Sequence, residues 1–207
     1  LRLEPAVLDE LRLRERGRSS CVGRRVVEGV RRVPPEPAGR IDLEGHVREL
    51  VLHGLEGSAR SPYADGVLSA LHQAGMQGVL MHFRGCSGEI NRLPRAYHAG
   101  DSTEIDWILR RLHAQHGGAL FAAGVSLGGN MLAKWLGERG TEASLVTAAA
   151  SISSPLDLAA GGAALSRGLN LVYTKMFLAT LKAKALAKIL RFPEVASAGA
   201  IRASRNL

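Results

Sequence analysis

Apolar and polar residues form a regular succession of blocks along the chain from residue 46 onward. Four short, continuously apolar runs predict strands over 47–52, 78–83, 119–124 and 144–151. Between them, apolar residues recur at helical spacing and predict helices that begin at 61, at 101 or 102, and near 129. Unbroken apolar strands are typical of a parallel sheet covered on both faces. The pattern therefore predicts an α/β fold, with a mostly parallel sheet flanked by helices.

Two segments depart from this alternation. Residues 1–45 hold half of the eight prolines, are rich in arginine and lack lysine, which predicts an irregular lead-in before a domain over 46–207. Within the lead-in, Val26, Val27 and Val30 indicate one weak strand. Residues 169–191 predict one or two helices, with apolar residues on one face and lysines on the other. The region over about 159–192 is accordingly expected to be a lid-like helical part of the domain.

Composition narrows the possible functions. The net charge of +8 is spread along the chain and only 4% of residues are aromatic, which argues against nucleic-acid binding. Cys21 and Cys86 form neither a disulfide framework nor a metal-ligand spacing, so we expect no metal and no cofactor. The chain has no apolar run of 18 residues and no basic start followed by an apolar segment, which favours a cytoplasmic location.

The candidate chemistry lies in the pentapeptide 124–128, which reads Gly-Val-Ser-Leu-Gly and joins a predicted strand to a predicted helix. In that context G-x-S-x-G is the signature of a nucleophile elbow, a sharp turn that exposes the serine hydroxyl. Ser126 is therefore the candidate nucleophile. The alternative is a glycine-rich turn in which the serine is incidental.

Other unusual loops follow the predicted strands at the same edge of the sheet, where ligands bind in such folds. The loop after the first of these strands reads His53-Gly54-Leu55. We expect the backbone amides of Leu55 and of Leu127, the residue after the nucleophile, to form an oxyanion hole. Such a hole stabilises the negative charge that develops on an ester carbonyl oxygen when serine attacks it.

The partners that would activate Ser126 are harder to find. Nucleophile elbows of this class are followed along the chain by an acid and then by a histidine. No histidine follows Ser126. Among those before it, His53 is expected to be structural, and His98 is the best remaining candidate base, although the order argues against it. The seven are His46, His53, His72, His82, His98, His113 and His116.

Several of these segments together resemble one family. They are His53 to Ser58, Arg60 to Tyr63, Phe83 to Glu89, Asn91 to His98, Gly124 to Leu132 and Ser153 to Leu158. Over about 51–207 the chain is similar to the YheT-like esterases, family 4 of the AB hydrolase superfamily. The resemblance implies an α/β-hydrolase fold and hydrolysis of carboxylic esters or lipids by a serine triad, of which only Ser126 carries over. Family members extend beyond the position of Leu207, so the resemblance also implies a truncated copy without the triad acid and histidine.

Two other functions remain open at this point. The chain could be a non-catalytic remnant that binds a lipid, a membrane surface or a protein partner. Between Asp157 and Glu194 the chain has basic residues and no acidic ones. The basic face of 169–191 is then either an ordinary solvated surface or a transient contact with an anionic membrane or lipid. The acyl chain, the head group and the oligomeric state are not indicated by the sequence.

Overall fold

The computed structural model describes residues 25–27, 30–32 and 48–206. Within these ranges, six strands form one sheet in the order β1-β2-β4-β3-β5-β6. The strands β3 to β6 are parallel to one another, whereas β1 and β2 pair antiparallel. The strands are β1 (Arg25–Val27), β2 (Val30–Arg32), β3 (Arg48–Leu52), β4 (Gln77–Met81), β5 (Leu120–Val125) and β6 (Ala148–Ile152).

The helices of the described residues follow the predicted alternation with the strands. The helix α1 begins at Pro62, where a proline fits because the first helical amide has no intrahelical partner. The helix α2 ends before Gly117, which has a left-handed backbone (φ +58°) that favours glycine. The helices are α1 (Pro62–Gln73), α2 (Ser102–His116), α3 (Leu127–Arg139), α4 (Leu158–Leu165), α5 (Leu171–Ile189) and α6 (Ala198–Ala203).

The core lies on both faces of the parallel strands, because successive side chains of a strand point to opposite sides. Leu50 and Leu52 of β3 are buried in the cluster that contains residues of α2 and α3, among them Trp135. Val51, between them, is buried in a second cluster with Leu68 and other residues of α1. This arrangement confirms the predicted class, a mostly parallel sheet with helices on both sides.

The last strand differs from its prediction in place and in burial. We expected this strand over 144–151, but a 3₁₀ turn occupies Gly140–Leu145 and β6 begins at Ala148. The apolar residues that suggested the earlier start lie before the strand, where Val146 is buried in the core and Leu145 packs against it. All five residues of β6 are exposed, so in the described part of the chain this strand is not covered on both faces.

The lead-in contributes two strands where one weak strand was predicted. Val30 of β2 pairs with Met81 of β4, and Val27 of β1 pairs with Val30. The irregular segments predicted for the rest of residues 1–45 lie outside the described residues.

The burial of residues on the two faces of α5 also differs from the prediction. Tyr173, expected in the apolar stripe, is more than half exposed, whereas Lys188, expected in a solvated face, is buried. The Lys188 ammonium group lies 2.6 Å from Asn91 Oδ1 and 2.5 Å from the Leu93 carbonyl oxygen. The basic face therefore contacts the loop after β4, because oxygen acceptors there solvate the ammonium group in place of water. None of the helices in the described part of the chain is both long enough and apolar enough to cross a bilayer.

Candidate active site

Ser126 occupies the sharp turn between β5 and α3. Its backbone has φ +54° and ψ −118°, a conformation that residues with a side chain rarely adopt. The Ser126 amide donates to the carbonyl oxygen of Ile152 (2.8 Å), and the Asn130 amide donates to the carbonyl oxygen of Ser126 (3.1 Å). Hydrogen bonds to β6 and within α3 thus fix the strained residue from both sides, as a nucleophile elbow requires.

Two glycines of the pentapeptide allow this turn to pack tightly. A Cβ atom added to Gly124 would lie 2.5 Å from the carbonyl oxygen of Gly128. A Cβ atom on Gly128 would lie 2.5 Å from the carbonyl oxygen of Leu52, at the end of β3. Both contacts are with backbone, which cannot swing aside as a flexible side chain can. Glycine at these positions therefore lets α3 begin directly against the neighbouring strand.

The loop after β3 runs beside the elbow. A Cβ atom on Gly54 would lie 3.3 Å from Ser126 Cβ, so this loop and the candidate nucleophile are in close contact. The Gly54 carbonyl oxygen accepts hydrogen bonds from the Gly57 amide (3.0 Å) and from His53 Nδ1 (2.7 Å). Because a trans peptide is planar, fixing this carbonyl group also fixes the amide of Leu55 in the opposite direction.

The two amides predicted to form the oxyanion hole are both available. Leu127 is the first residue of α3, and the first amides of a helix have no intrahelical acceptor. Within the described residues, neither the Leu127 amide nor the Leu55 amide donates to another group of the protein. Their joint action on one oxygen atom stays a prediction.

His53 is held as a neutral, buried ring. Its Nε2 accepts a hydrogen bond from the Phe83 amide (3.1 Å), so the proton lies on Nδ1, which donates to the Gly54 carbonyl oxygen. Burial lowers the pKa of His53 to about 4, and the bond to Gly54 opposes this shift only in part. Both ring nitrogens are thus used to hold the loops after β3 and β4, in keeping with the structural role expected for His53.

The candidate base His98 is engaged elsewhere. Its Nε2 lies 3.2 Å from Asp101 Oδ1, and its Nδ1 accepts from the amide of Gly100 (3.0 Å). Both contacts lie in the turn that precedes α2. Among the described residues no side chain forms a hydrogen bond with the Ser126 hydroxyl group. The structure therefore brings the candidate nucleophile and the loop of Leu55 together, and within its described part places no histidine or carboxylate in contact with that hydroxyl.

Sequence reasoning missed a polar cluster behind the oxyanion loop. Tyr97 Oη accepts from the Glu56 amide (3.0 Å) and donates to Glu56 Oε1 (2.7 Å). Burial raises the pKa of Tyr97, which keeps its proton on the donating oxygen. Lys184 Nζ lies 2.8 Å from Glu56 Oε2 and 3.4 Å from Cys86 Sγ. No local pattern reveals this cluster, since its members come from two loops and a distant helix.

Comparisons with known proteins agree with this geometry. Residues 50–199 match the family described as the alpha/beta hydrolase fold. The chain is also 46% identical over 147 residues to an Escherichia coli (strain K12) protein named "Putative esterase YheT", a match that covers 70% of this chain and 43% of that protein. The parallel sheet, the elbow and the family match define a hydrolase-fold protein. The chain belongs to the alpha/beta hydrolase family, and the resemblance to YheT is confirmed.

More distant relatives extend the comparison. The mouse protein named Phospholipase ABHD3 is 31% identical over 141 residues, which covers 68% of this chain and 34% of that protein. A solved structure of Est1E from Butyrivibrio proteoclasticus with ferulic acid bound superposes with a TM-score of 0.51 at 16% identity, covering 67% of this chain and 51% of that one. At this identity the likeness concerns the fold alone. The chain spans less than half the length of these two curated relatives.

Proposed function

We propose that the chain carries the nucleophile half of a serine hydrolase that acts on carboxylic esters or lipids through an acyl-enzyme on Ser126. The single observation that carries this proposal is the strained backbone of Ser126 between β5 and α3, with the Leu127 amide at the helix start directly after it. Such strain persists only where the surrounding structure maintains it, and it concentrates at functional sites. The names of the relatives, an esterase and a phospholipase, support the class of substrate.

The proposed reaction has two steps. Ser126 Oγ attacks the ester carbonyl carbon, and the Leu127 and Leu55 amides stabilise the oxyanion, after which the alcohol leaves with the serine proton. Water then attacks the acyl-serine and releases the carboxylic acid and the free serine. Each oxyanion-hole donor contributes roughly 10²–10³ in rate.

Both steps need a general base, and the described residues place none beside Ser126. A serine site that lacks its base accelerates the reaction only about 10³–10⁴-fold over that in water, through the oxyanion hole and substrate binding. We therefore expect the 207-residue chain to cleave activated esters very slowly.

The test combines a p-nitrophenyl ester assay with fluorophosphonate labelling, a reaction that the oxyanion hole accelerates even without the base. We expect slow turnover and slow labelling, both lost in Ser126→Ala. Ser204→Ala, which changes an exposed serine after α6, is the matched control and keeps both. Absence of labelling in the unmodified chain favours the non-catalytic remnant, and rapid turnover contradicts the lack of a base.

A second candidate function is contact with an anionic membrane surface. It is favoured by exposed apolar side chains just before and within the first part of α5, where Leu169, Val172 and Met176 are 91%, 68% and 53% exposed. Exposed basic residues such as Lys175 lie among them, and exposed apolar groups beside cations are typical of interfacial helices. This candidate requires no reactive serine.

A further inference from the structure

The direction of the Leu55 amide depends on a tight turn. The Gly57 amide donates to the Gly54 carbonyl oxygen (3.0 Å), so residues 54–57 form a four-residue turn with Leu55 and Glu56 at its centre. Glu56 has φ +57°, a left-handed backbone that usually selects glycine or asparagine at the third position of a turn. Glutamate at this position requires compensation from its surroundings.

The Glu56 side chain supplies that compensation. The side chain is only 5% exposed. One oxygen accepts from Tyr97 Oη (2.7 Å), and the other lies 2.8 Å from Lys184 Nζ. Tyr97 also accepts from the Glu56 amide, so the backbone and the side chain of this residue are both held. Among the described residues, Lys184 is the sole cation in contact with this buried carboxylate group.

Lys184 belongs to α5, whereas the turn belongs to the loop after β3. We infer that Lys184 is a positioning residue that, through Glu56, holds the Leu55 amide in the orientation required for the oxyanion hole. The inference rests on the proposed function for its catalytic consequence. It connects α5, in the lid-like region, directly with the turn over 54–57. Displacing this helix removes the partner of Glu56 and releases the turn.

Loss of the lysine has a specific consequence. Without the ammonium group, the Glu56 carboxylate is a buried charge without a counter-ion, which is strongly unfavourable. The carboxylate relieves this by turning toward water, and the left-handed backbone at Glu56 then has no compensating contact. The hydrogen bond that closes the turn weakens, and the Leu55 amide moves with the Gly54 carbonyl group.

The experiment follows the turn by ¹⁵N-resolved NMR of the full 207-residue chain, through the Leu55 resonance and through the exchange rate of the Gly57 amide, which closes the turn. In Lys184→Met we expect a shifted Leu55 resonance and hydrogen exchange of the Gly57 amide faster by about 10-fold or more, as for local opening. Lys182→Met is the matched control, because Lys182 lies on the same helix and donates instead to the Arg202 carbonyl oxygen (2.8 Å). Lys184→Arg preserves the charge and should restore most of the exchange protection.

Glu56→Gln tests the same pair from its other side, since glutamine preserves size and the hydrogen bond to Tyr97 but removes the charge. It should also accelerate exchange of the Gly57 amide. The inference is overturned if the Leu55 resonance and the Gly57 exchange rate are unchanged in Lys184→Met or, should that variant not fold, in Glu56→Gln. An equal change in Lys182→Met overturns it as well.

Fluorophosphonate labelling separates this inference from the proposed function. Loss of one aligned oxyanion donor should slow labelling of Ser126 by about 10-fold or more in Lys184→Met. If the unmodified chain labels no faster than Ser126→Ala, the proposed function fails, and the Leu55 resonance and the Gly57 exchange rates decide whether Lys184 holds the turn. If labelling occurs at equal rates in the unmodified chain and Lys184→Met, the positioning role fails while the proposed function stands.

Discussion

Gly128 shows at the scale of a single residue how the elbow restricts the sequence. A methyl group at this position would lie 2.5 Å from the Leu52 carbonyl oxygen and 2.6 Å from that of His53. Separation of α3 from β3 is the only relief, so Gly128→Ala should reduce the free energy of unfolding by about 2 kcal/mol or more. Urea denaturation followed by circular dichroism measures this change.

Gly137 provides the matched control on the same helix. A Cβ atom at Gly137 meets nothing within 4 Å, and the residue is exposed. Gly137→Ala should therefore stabilise the chain by about 0.5–1 kcal/mol, because alanine loses less backbone entropy than glycine in a helix. Equal effects of the two substitutions would show that α3 does not press against β3.

His53 makes the stability of the chain depend on pH. The unfolded chain takes up a proton at this ring below about pH 6.5, whereas in the folded chain burial lowers the pKa to about 4. Between these values the unfolded state binds more protons, so the contribution of His53 to stability is complete above about pH 6.5 and falls as the pH drops toward about 4. From about pH 7.5 to about pH 5 we expect this residue to reduce the free energy of unfolding by about 2 kcal/mol.

Urea denaturation of the unmodified chain and of His53→Gln, at about pH 7.5 and about pH 5, measures this dependence. The variant is less stable at both values because it loses ring contacts with Phe83, whose ring centroid lies 4.2 Å away. The decrease in its free energy of unfolding on acidification should nevertheless be smaller by about 2 kcal/mol, since glutamine does not titrate. The same loss in both proteins would contradict a neutral, buried His53.

At the scale of elements, α5 is attached to the rest of the chain through its lysines. Lys188 donates to Asn91 and to the backbone carbonyl groups of Leu93 and Arg95. Removing this buried donor removes the hydrogen bonds that join α5 to residues 91–95, so Lys188→Met should reduce the free energy of unfolding by about 2 kcal/mol. Lys175→Met removes an exposed lysine from the same helix and should change it by less than about 0.5 kcal/mol.

Limited proteolysis shows whether the Lys188 contact holds α5 itself. We expect faster cleavage within 159–192 in Lys188→Met than in Lys175→Met under native conditions, because an element with fewer buried contacts opens more often. Similar cleavage of the two variants would mean that other contacts hold the helix.

The sequence predicts individual elements well where local patterns decide them. The strand β3, the start of α1 at Pro62 and the turn at Ser126 depend on apolar runs, proline and glycine, and each lies within a residue or two of its predicted position. β6 was predicted to begin too early. The apolar character of Leu145 and Val146 indicates that they are buried, but it does not indicate that they belong to a 3₁₀ turn and its end and not to a strand. The orientation of α5 depends on oxygen acceptors in residues 91–95, and the spacing of apolar residues along the helix gives no information about them.

At the scale of the whole molecule, the fold class and the position of the candidate site follow from the sequence, whereas the network behind the site does not. β3 and β5 are parallel neighbours that end at the same edge of the sheet. The loops that follow them, which hold Leu55 and Ser126, therefore lie side by side. The pairing of Glu56 with Lys184 joins segments far apart in sequence. A lysine or glutamate in a sequence does not by itself indicate whether its side chain faces water. The sequence therefore could not predict this part of the site.

The surface charge of the whole chain bears on the membrane candidate. With a net charge of +8 and exposed apolar residues at the start of α5, the chain should bind vesicles that contain phosphatidylserine at low salt. Cosedimentation with these vesicles measures the binding, which should weaken strongly above about 0.5 M NaCl, where the screening length falls to a few ångströms.

Two substitutions on α5 separate the apolar contribution to this contact from the charge. Val172→Asp places a carboxylate among the exposed apolar side chains, whereas Ala179→Asp adds the same charge at an exposed position of the same helix that carries only a methyl group. Val172→Asp should therefore weaken vesicle binding more than Ala179→Asp, because only the first removes apolar surface that the interface would bury. Equal loss in both variants would mean that charge alone drives the contact, and absence of binding at low salt would dispose of the membrane candidate.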